Sequence, residues 1–300
     1  MPDNNPVLSV CLVNHNAGGL TSDCIRSILE KTSKISYEVI LVDNNSTDGD
    51  PRRLKERFPD ITLLINRRNI GYTAANNQAI RLAKGSFVLL LNNDTLLKNN
   101  VLDIMVQLME NDPTIGILSC KLYEPSGKVQ KNCRGSYTSP FDTLFGRASF
   151  MTRIWPKNPI SRRNTLSDWD YNSFRSVDWV SGACLMIRKK VLDQVGLLDE
   201  RFKMYWEDTD ICLRASRAGW RVCFTPEAEI LHYTGKGGGQ RSLGLELHMI
   251  CQMHWSAYAY FLKHHFGRPY HPMAVLTLMG MAFLTALKSL KLLGRSFLRR

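Results

Sequence analysis

Between residues 7 and 94 the chain alternates four short apolar runs with three longer segments whose apolar residues recur every three to four positions. The runs "VLSVCLV", "YEVILVD", "ITLLIN" and "SFVLLLN" read as strands. Between them "LTSDCIRSILEKT", "DPRRLKERF" and "TAANNQAIRLAKG" read as helices, the last stopped at Gly85. Strand and crossover helix in alternation predict a sheet with parallel strands, an α/β fold.

Each of these strands ends in polar residues: Asn14, His15 and Asn16; Asp43, Asn44, Asn45 and Ser46; Asn66; and Asn92, Asn93 and Asp94. In open α/β sheets ligands bind beyond the carboxyl ends of the strands, so a site is expected there. Further on, "IGILSC" and "VDWVSGACLMIR" read as strands, separated by a Pro-rich and basic stretch from 134 to 165 expected to be a mobile loop. Residues 207 to 218 read as a helix with Glu207 and Asp208 in its first turn, where acidic groups complement the helix dipole. Gly219 ends it, "WRVCFTP" returns as a strand, and the chain turns helical after 243.

At 44% hydrophobic residues the chain can bury a sizeable core. Eight cysteines, none spaced Cys-x-x-Cys and several inside apolar runs, fit small buried hydrophobes in a reducing cytosol. The opening "MPDNNPVLSV" carries no basic stretch leading into a long apolar one, so a cytoplasmic catalytic part is expected. The formal charge of +12 is uneven: no Asp or Glu follows Glu246, whereas Lys263, Arg268, Lys288, Lys291, Arg295, Arg299 and Arg300 do. A nucleic-acid binder would spread its charge over a face interleaved with aromatics, so no nucleic-acid partner is expected. The uncharged stretch from Pro269 to Leu287 is marginal as a spanning helix, which needs about 20 mainly apolar residues. With Lys288, Lys291, Arg295 and Arg299 recurring on one helical face, the tail is expected to lie in an anionic bilayer surface.

Four features carry chemistry, each with a structural alternative. Asp43 can accept hydrogen bonds from a ribose or base edge, or close an Asx-turn or helix cap. Asn92 and Asp94, two residues apart, can share a hard cation such as Mg²⁺ or Mn²⁺ with nucleotide phosphates, or form a surface turn. Glu207 and Asp208 follow Tyr205 and Trp206, which can shield a carboxylate and keep it basic enough to deprotonate an alcohol; an acidic pair at a helix start is the alternative. His232 ends "AEILH" as either a structural side chain or a ligand, and the following "YTGKGGG" lacks the ending of a phosphate-binding P-loop.

In sequence order, "SVCLVNHNAGGLTSDCIRSIL", "EVILVDNNSTDG", "NRRNIGYTAANNQAI", "GSFVLLLNNDT", "VSGACLMIRKKVLDQVGLLDERFKMYWEDTDICLRASRAGW" and "PEAEILHYTG" strongly resemble family 2 glycosyltransferases, over residues 7 to about 240. Within that family the chain is most similar to the bacterial rhamnosyltransferase-like branch, whose members build cell-envelope polysaccharides from nucleotide-activated sugars. The resemblance implies a GT-A fold over 1–242, a helical extension over 243–300, a divalent metal and inversion at the anomeric carbon. It implies a nucleotide-diphosphate sugar donor, dTDP-rhamnose first and UDP-sugars next, and a glycan or lipid-linked sugar acceptor at the inner face of a membrane.

Carried across by position, Asp43 would hold the nucleoside, with Asn14, Asn69, Gly71, Asn92 and Asn93 around the donor. Asp94 would be the main metal ligand, His232 would complete the metal site, Asp208 would be the general base and Glu207 would assist it. Asn92 stands where the family's Asp-x-Asp motif has its first aspartate, which lowers the ligand charge. Arg67 and Arg68 lie beside the Asn69 loop, and Trp179, Ser181 and Gly182 fall where the acceptor-side wall begins. A nucleotidyltransferase would place a basic Gly-rich loop after the first strand, and "NHNAGGL" has no Lys or Arg. The remaining alternative is a non-catalytic protein that binds a nucleotide or anionic lipid.

Overall fold

The computed structural model describes residues 5–131, 133–134, 137, 139–140, 154–155, 159, 162, 166, 168–235 and 242–297. The stretch expected to be a mobile loop lies largely outside the described residues, as does the Gly-rich segment after Gly235. The alternating half folds as read: β1 (Leu8–Asn14), α1 (Gly18–Lys31), β2 (Tyr37–Asp43), α2 (Asp50–Arg57), β3 (Thr62–Ile65), α3 (Tyr72–Leu82) and β4 (Phe87–Asn92). These four strands pair in parallel in the order β3-β2-β1-β4, with Asn14 opposite Asp43. Side chains alternate across the pleat: Leu8, Val10 and Leu12 pack with Ile25 and Ile28 of α1, while Cys11 packs on the other face with Ala75 and Ala79 of α3.

The second half extends the sheet: β5 (Thr95–Leu97), α4 (Val101–Asn111), β6 (Ile115–Tyr123), β7 (Cys133–Arg134), β8 (Arg175–Ser176), β9 (Trp179–Val180), β10 (Cys184–Arg188), α5 (Lys189–Val195), α6 (Glu207–Arg217) and β11 (Arg221–His232). Next to β4 come β10, β6, β11 and β5 in that order, β10 antiparallel to both β4 and β6. The run "VDWVSGACLMIR" is therefore two strands and not one. It breaks at Ser181 to Ala183, where the Gly182 N–H turns to the Asp208 carboxylate (3.0 Å). Strand β11 is longer than "WRVCFTP", because a register shift between Thr225 and Glu229 absorbs Pro226, which has no N–H to give the ladder. The extension matters: His232 pairs with Thr95, directly after Asn92, Asn93 and Asp94.

The C-terminal part comprises α7 (Leu243–Phe261), a π turn (Leu262–Phe266) and α8 (Pro272–Phe297). Ala257, Tyr260 and Phe261 of α7 pack on Phe202 and Leu213. Lys263 bonds both Asp199 (2.7 Å) and the buried Asp210 (2.6 Å), which also receives Arg214 (2.7 Å).

Helix α8 is where the expected membrane association of the tail meets the structure. Ala274 and Met281 are buried, but Leu276, Met279, Phe283, Leu287 and Leu290 are bare, around most of the circumference. The Thr277 and Thr285 hydroxyls bond back to Met273 and Met281 carbonyls (both 2.7 Å), so even its polar side chains ask little of water. Before Lys288 the helix has no charged face on which to lie, and Pro272–Gly294 is long and apolar enough to cross a membrane. A bare apolar helix of this kind fits association with a membrane.

Candidate active site

The strand ends form three linked clusters. At the first, Asp94 Oδ1 lies 3.3 Å from His232 Nε2, both side chains nearly buried. The imidazole tautomer follows from Gln130, whose amide nitrogen donates to the His232 carbonyl (3.1 Å) and to Thr234 Oγ1 (2.7 Å). Its Oε1 then accepts from His232 Nδ1 (2.9 Å), which leaves the Nε2 lone pair turned toward Asp94. A carboxylate oxygen and an imidazole lone pair converging in this way suit a divalent cation whose other ligands come from a substrate. Asn92 is turned differently: its Oδ1 accepts from the Tyr72 hydroxyl (3.0 Å) and its Nδ2 faces His232 Nε2 (3.3 Å). Among the described residues no third His, Cys, Asp or Glu joins the pair.

The second cluster holds the expected nucleoside residues, but most of their polar atoms are committed to one another. Asp43 is fully buried, accepting from Asn14 Nδ2 (2.9 Å), the Ser46 hydroxyl (2.5 Å) and the Ser46 N–H (2.9 Å). Asn93 donates to Thr21 Oγ1 (2.9 Å), whose hydroxyl bonds Asn14 Oδ1 (2.9 Å). Asp43 thus takes a structural part, tying down the Ser46 turn three residues on, and Asp43, Asn14 and Asn93 form a floor beneath the strand ends. Asn44 clamps the next loop, donating to Asn69 Oδ1 (2.9 Å) and Gly71 O (3.2 Å) and accepting from Ile70 N–H (3.0 Å). Gly71 sits at φ +91, a backbone conformation that side-chain-bearing residues rarely adopt, and it lies in van der Waals reach of the Lys203 carbonyl. Arg67 and Arg68 are exposed on that loop.

The third cluster is the carboxylate pair. Tyr205 and Trp206 both carry left-handed backbone (φ +69 and +72) immediately before α6, a conformation that costs on the order of 1–3 kcal/mol per residue and survives only where surroundings enforce it. Here Ser256 Oγ bonds Met204 O (3.0 Å), Thr73 bonds Phe202 O, and the Trp206 ring packs on Tyr260 (4.9 Å) and Phe261 (5.4 Å). The kink presents Glu207 and Asp208 side by side. Burial, then repulsion from Asp208, raises the Glu207 carboxyl well above its ordinary range, and its Oε2 has no hydrogen-bond partner among the described residues. Burial also raises Asp208, but N–H groups of Gly182 (3.0 Å) and Thr209 (2.7 Å) and the Trp179 indole favour its ionised form. When the two share a proton, Glu207 holds it and Asp208 stays a base.

Tyr72 joins the clusters: its hydroxyl bonds Asn92, and Glu207, Asp208 and Asp94 all raise its pKa, after burial. The sequence reading passed over Tyr72, Gln130 and Asn77, and named Asn44 only among the polar residues that end β2. Asn77 grips the loop that leads to the kink, donating to Leu198 O (2.9 Å) and Glu200 Oε1 (2.9 Å) and accepting from Leu198 N–H (3.1 Å). Asn77→Ala strands two backbone groups at about 1–3 kcal/mol each, so the melting temperature should fall on the order of 5–10 °C in a thermal denaturation scan. A cavity of about 490 Å³ lies elsewhere, lined by Trp169, Arg175 and Val177 near the start of β11, and contains none of these residues.

The fold is the GT-A glycosyltransferase fold. Solved structures with this architecture include the mannosyltransferase PcManGT from Pyrobaculum calidifontis in complex with GDP-Man and Mn²⁺ (TM-score 0.56, 19% identity, covering 98% of this chain and 80% of that one). GalNAc-T7 with UDP, GalNAc and Mn²⁺ is another (TM-score 0.56, 16% identity, 83% and 48% covered). The family model "Glycosyltransferase like family 2" matches residues 5–242, and the chain belongs to that family. It is 31% identical over 275 residues to the N-acetylglucosaminyl-diphospho-decaprenol L-rhamnosyltransferase of Mycobacterium tuberculosis, covering 87% of this chain and 86% of the relative. To the rhamnosyltransferase WbbL of Escherichia coli it is 26% identical, covering 70% and 79%.

Proposed function

We propose that the chain is an inverting, metal-dependent glycosyltransferase that moves a sugar, rhamnose first among candidates, from a nucleotide-diphosphate donor to a hydroxyl of a lipid-linked glycan during cell-envelope polysaccharide synthesis. The observation that carries this reading is the Asp94–His232 pair at the sheet's end, which Asn92 joins through Nδ2 to His232 and through Oδ1 to Tyr72, a hydroxyl whose pKa the Glu207 and Asp208 carboxylates raise after burial. The rhamnosyltransferase relatives support the sugar and the lipid-linked acceptor, and the bare helix α8 supports a membrane-associated enzyme, which in this reading works at the cytoplasmic face.

In this reading Asp208 takes the proton from the acceptor hydroxyl while that oxygen bonds the anomeric carbon and the bond to the diphosphate breaks. Attack opposite the leaving group inverts the centre, by the logic of inverting glycosidases. Asp94 and His232 would hold Mg²⁺ or Mn²⁺, which when bound neutralises charge on the departing diphosphate. The floor of Asp43, Asn14 and Asn93 sets the strand ends on which the nucleoside rests, and Asn69 and Gly71 shape its loop. Glu207, kept protonated, spares the sugar a second negative charge beside the base.

A thermal-shift screen with dTDP, UDP and GDP, each with Mn²⁺ and with EDTA, tests the donor site. A selective, Mn²⁺-dependent rise is expected with dTDP, since a ligand at 100 times its Kd adds about 2.7 kcal/mol. No shift with any nucleotide would remove the donor and bring forward the non-catalytic lipid-binding alternative.

A further inference from the structure

We propose that the groove between α7 and α8 seats the first part of the hydrocarbon chain of a diphosphate-linked lipid acceptor, and that Lys288 meets its diphosphate. The groove, about 300 Å³, is lined by Tyr205, Glu246, Met249, Ile250, Met253 and Leu292. Residues 246, 249, 250 and 253 recur on one face of α7, and methionines give such a wall a deformable apolar surface suited to a flexible chain. The volume is at the lower end for small-molecule pockets, enough for a segment of a lipid and not the whole. The remainder stays in the bilayer, which the bare flank of α8 faces.

Two observations say what occupies it. The first is continuity with the site: Tyr205 lines the groove and lies three residues from Asp208, within about 10 Å of backbone. A chain seated there holds its sugar within reach of the base. The second is charge. Lys288 stands one helical turn from Leu292, and its Nζ lies 3.0 Å from His254 Nε2, on the α7 side. Glu246, the carboxylate among the described lining residues, is eight residues from His254, about 12 Å along α7, so it lies at the end of the groove away from Lys288. An apolar channel with a cation at one end and the catalytic kink beside it fits a prenyl-diphosphate type of ligand.

The inference rests on the glycosyltransferase reading for its purpose, but its test does not use a nucleotide. Binding of farnesyl diphosphate, inorganic pyrophosphate and farnesol to the full chain would be measured calorimetrically in EDTA, so that a metal-dependent diphosphate site is silent. Farnesyl diphosphate is expected to bind at least tenfold more tightly than pyrophosphate. Met253→Trp and Leu292→Trp, which fill the groove, should each weaken it about tenfold. Lys288→Gln, at an exposed position that tolerates exchange, should weaken farnesyl diphosphate and leave farnesol unchanged. Unchanged farnesyl diphosphate affinity in the groove variants, or in Lys288→Gln, overturns the proposal. Groove-dependent binding in a protein that fails the nucleotide screen would uphold the groove while the donor reading falls.

Discussion

Asp208→Asn should lower kcat for transfer about a thousandfold while the nucleotide- and Mn²⁺-dependent thermal shift stays as in the wild type. A positioned general base contributes roughly 10²–10⁴-fold, and asparagine keeps the shape and can still accept the Gly182 N–H but cannot take a proton. Transfer should also fall as pH drops through the raised pKa of Asp208, since only the ionised form is a base. Stability should move the opposite way. Both carboxyls of the pair are raised in the folded state, so the native protein binds more protons than the unfolded chain between the ordinary carboxylate range and those raised values. Its stability therefore declines as pH rises through that window. Glu207→Gln removes the cost, and its melting temperature should exceed the wild type's at pH 8 by a few degrees, with the gain vanishing near pH 4. Near-normal transfer in Asp208→Asn would show the base to be elsewhere, and an unchanged melting curve in Glu207→Gln would show that no buried charge is being paid for.

Much of this site was legible in the sequence because its ligand-side residues obey a local rule. A parallel strand that is apolar to its last residue and then turns polar marks the end where backbone groups leave the ladder, and Asn14, Asp43 and Asn92 all follow it. The carboxylate pair was legible because an acidic helix start behind two aromatics is also a local pattern. Gln130, Tyr72 and Asn77 were not, because their roles are set by partners distant in sequence: Gln130 meets His232 only after β6 and β11 pair, and Asn77 meets Leu198 only after α3 docks. Asp43 shows the converse. It ends its strand as expected, yet its oxygens accept from Asn14 and Ser46. The basic spacing of the tail was legible in the sequence, whereas the breadth of its apolar surface, with Leu276, Met279, Phe283 and Leu287 all exposed, shows only once α8 forms.

The second large effect is expected at Asp94. Asp94→Ala should abolish the Mn²⁺-dependent part of the nucleotide thermal shift, a loss of at least a hundredfold in affinity, or about 2.7 kcal/mol. The reason lies in the small donor set. Asn92 brings no charge and turns its amide nitrogen toward His232, so among the described residues Asp94 is the carboxylate that faces His232 at the candidate site. A pair with one carboxylate has nothing to fall back on. Gln130→Leu tests the same arrangement without touching either candidate ligand. It removes the acceptor that fixes the proton on His232 Nδ1, and loss of such an orienting partner weakens metal binding by about 10–100-fold. Titration of each protein with Mn²⁺ in the presence of nucleotide would order them wild type, Gln130→Leu, Asp94→Ala. A wild-type Mn²⁺ response in Asp94→Ala would place the cation away from the strand end, and an unaltered response in Gln130→Leu would show that His232 does not depend on that tautomer.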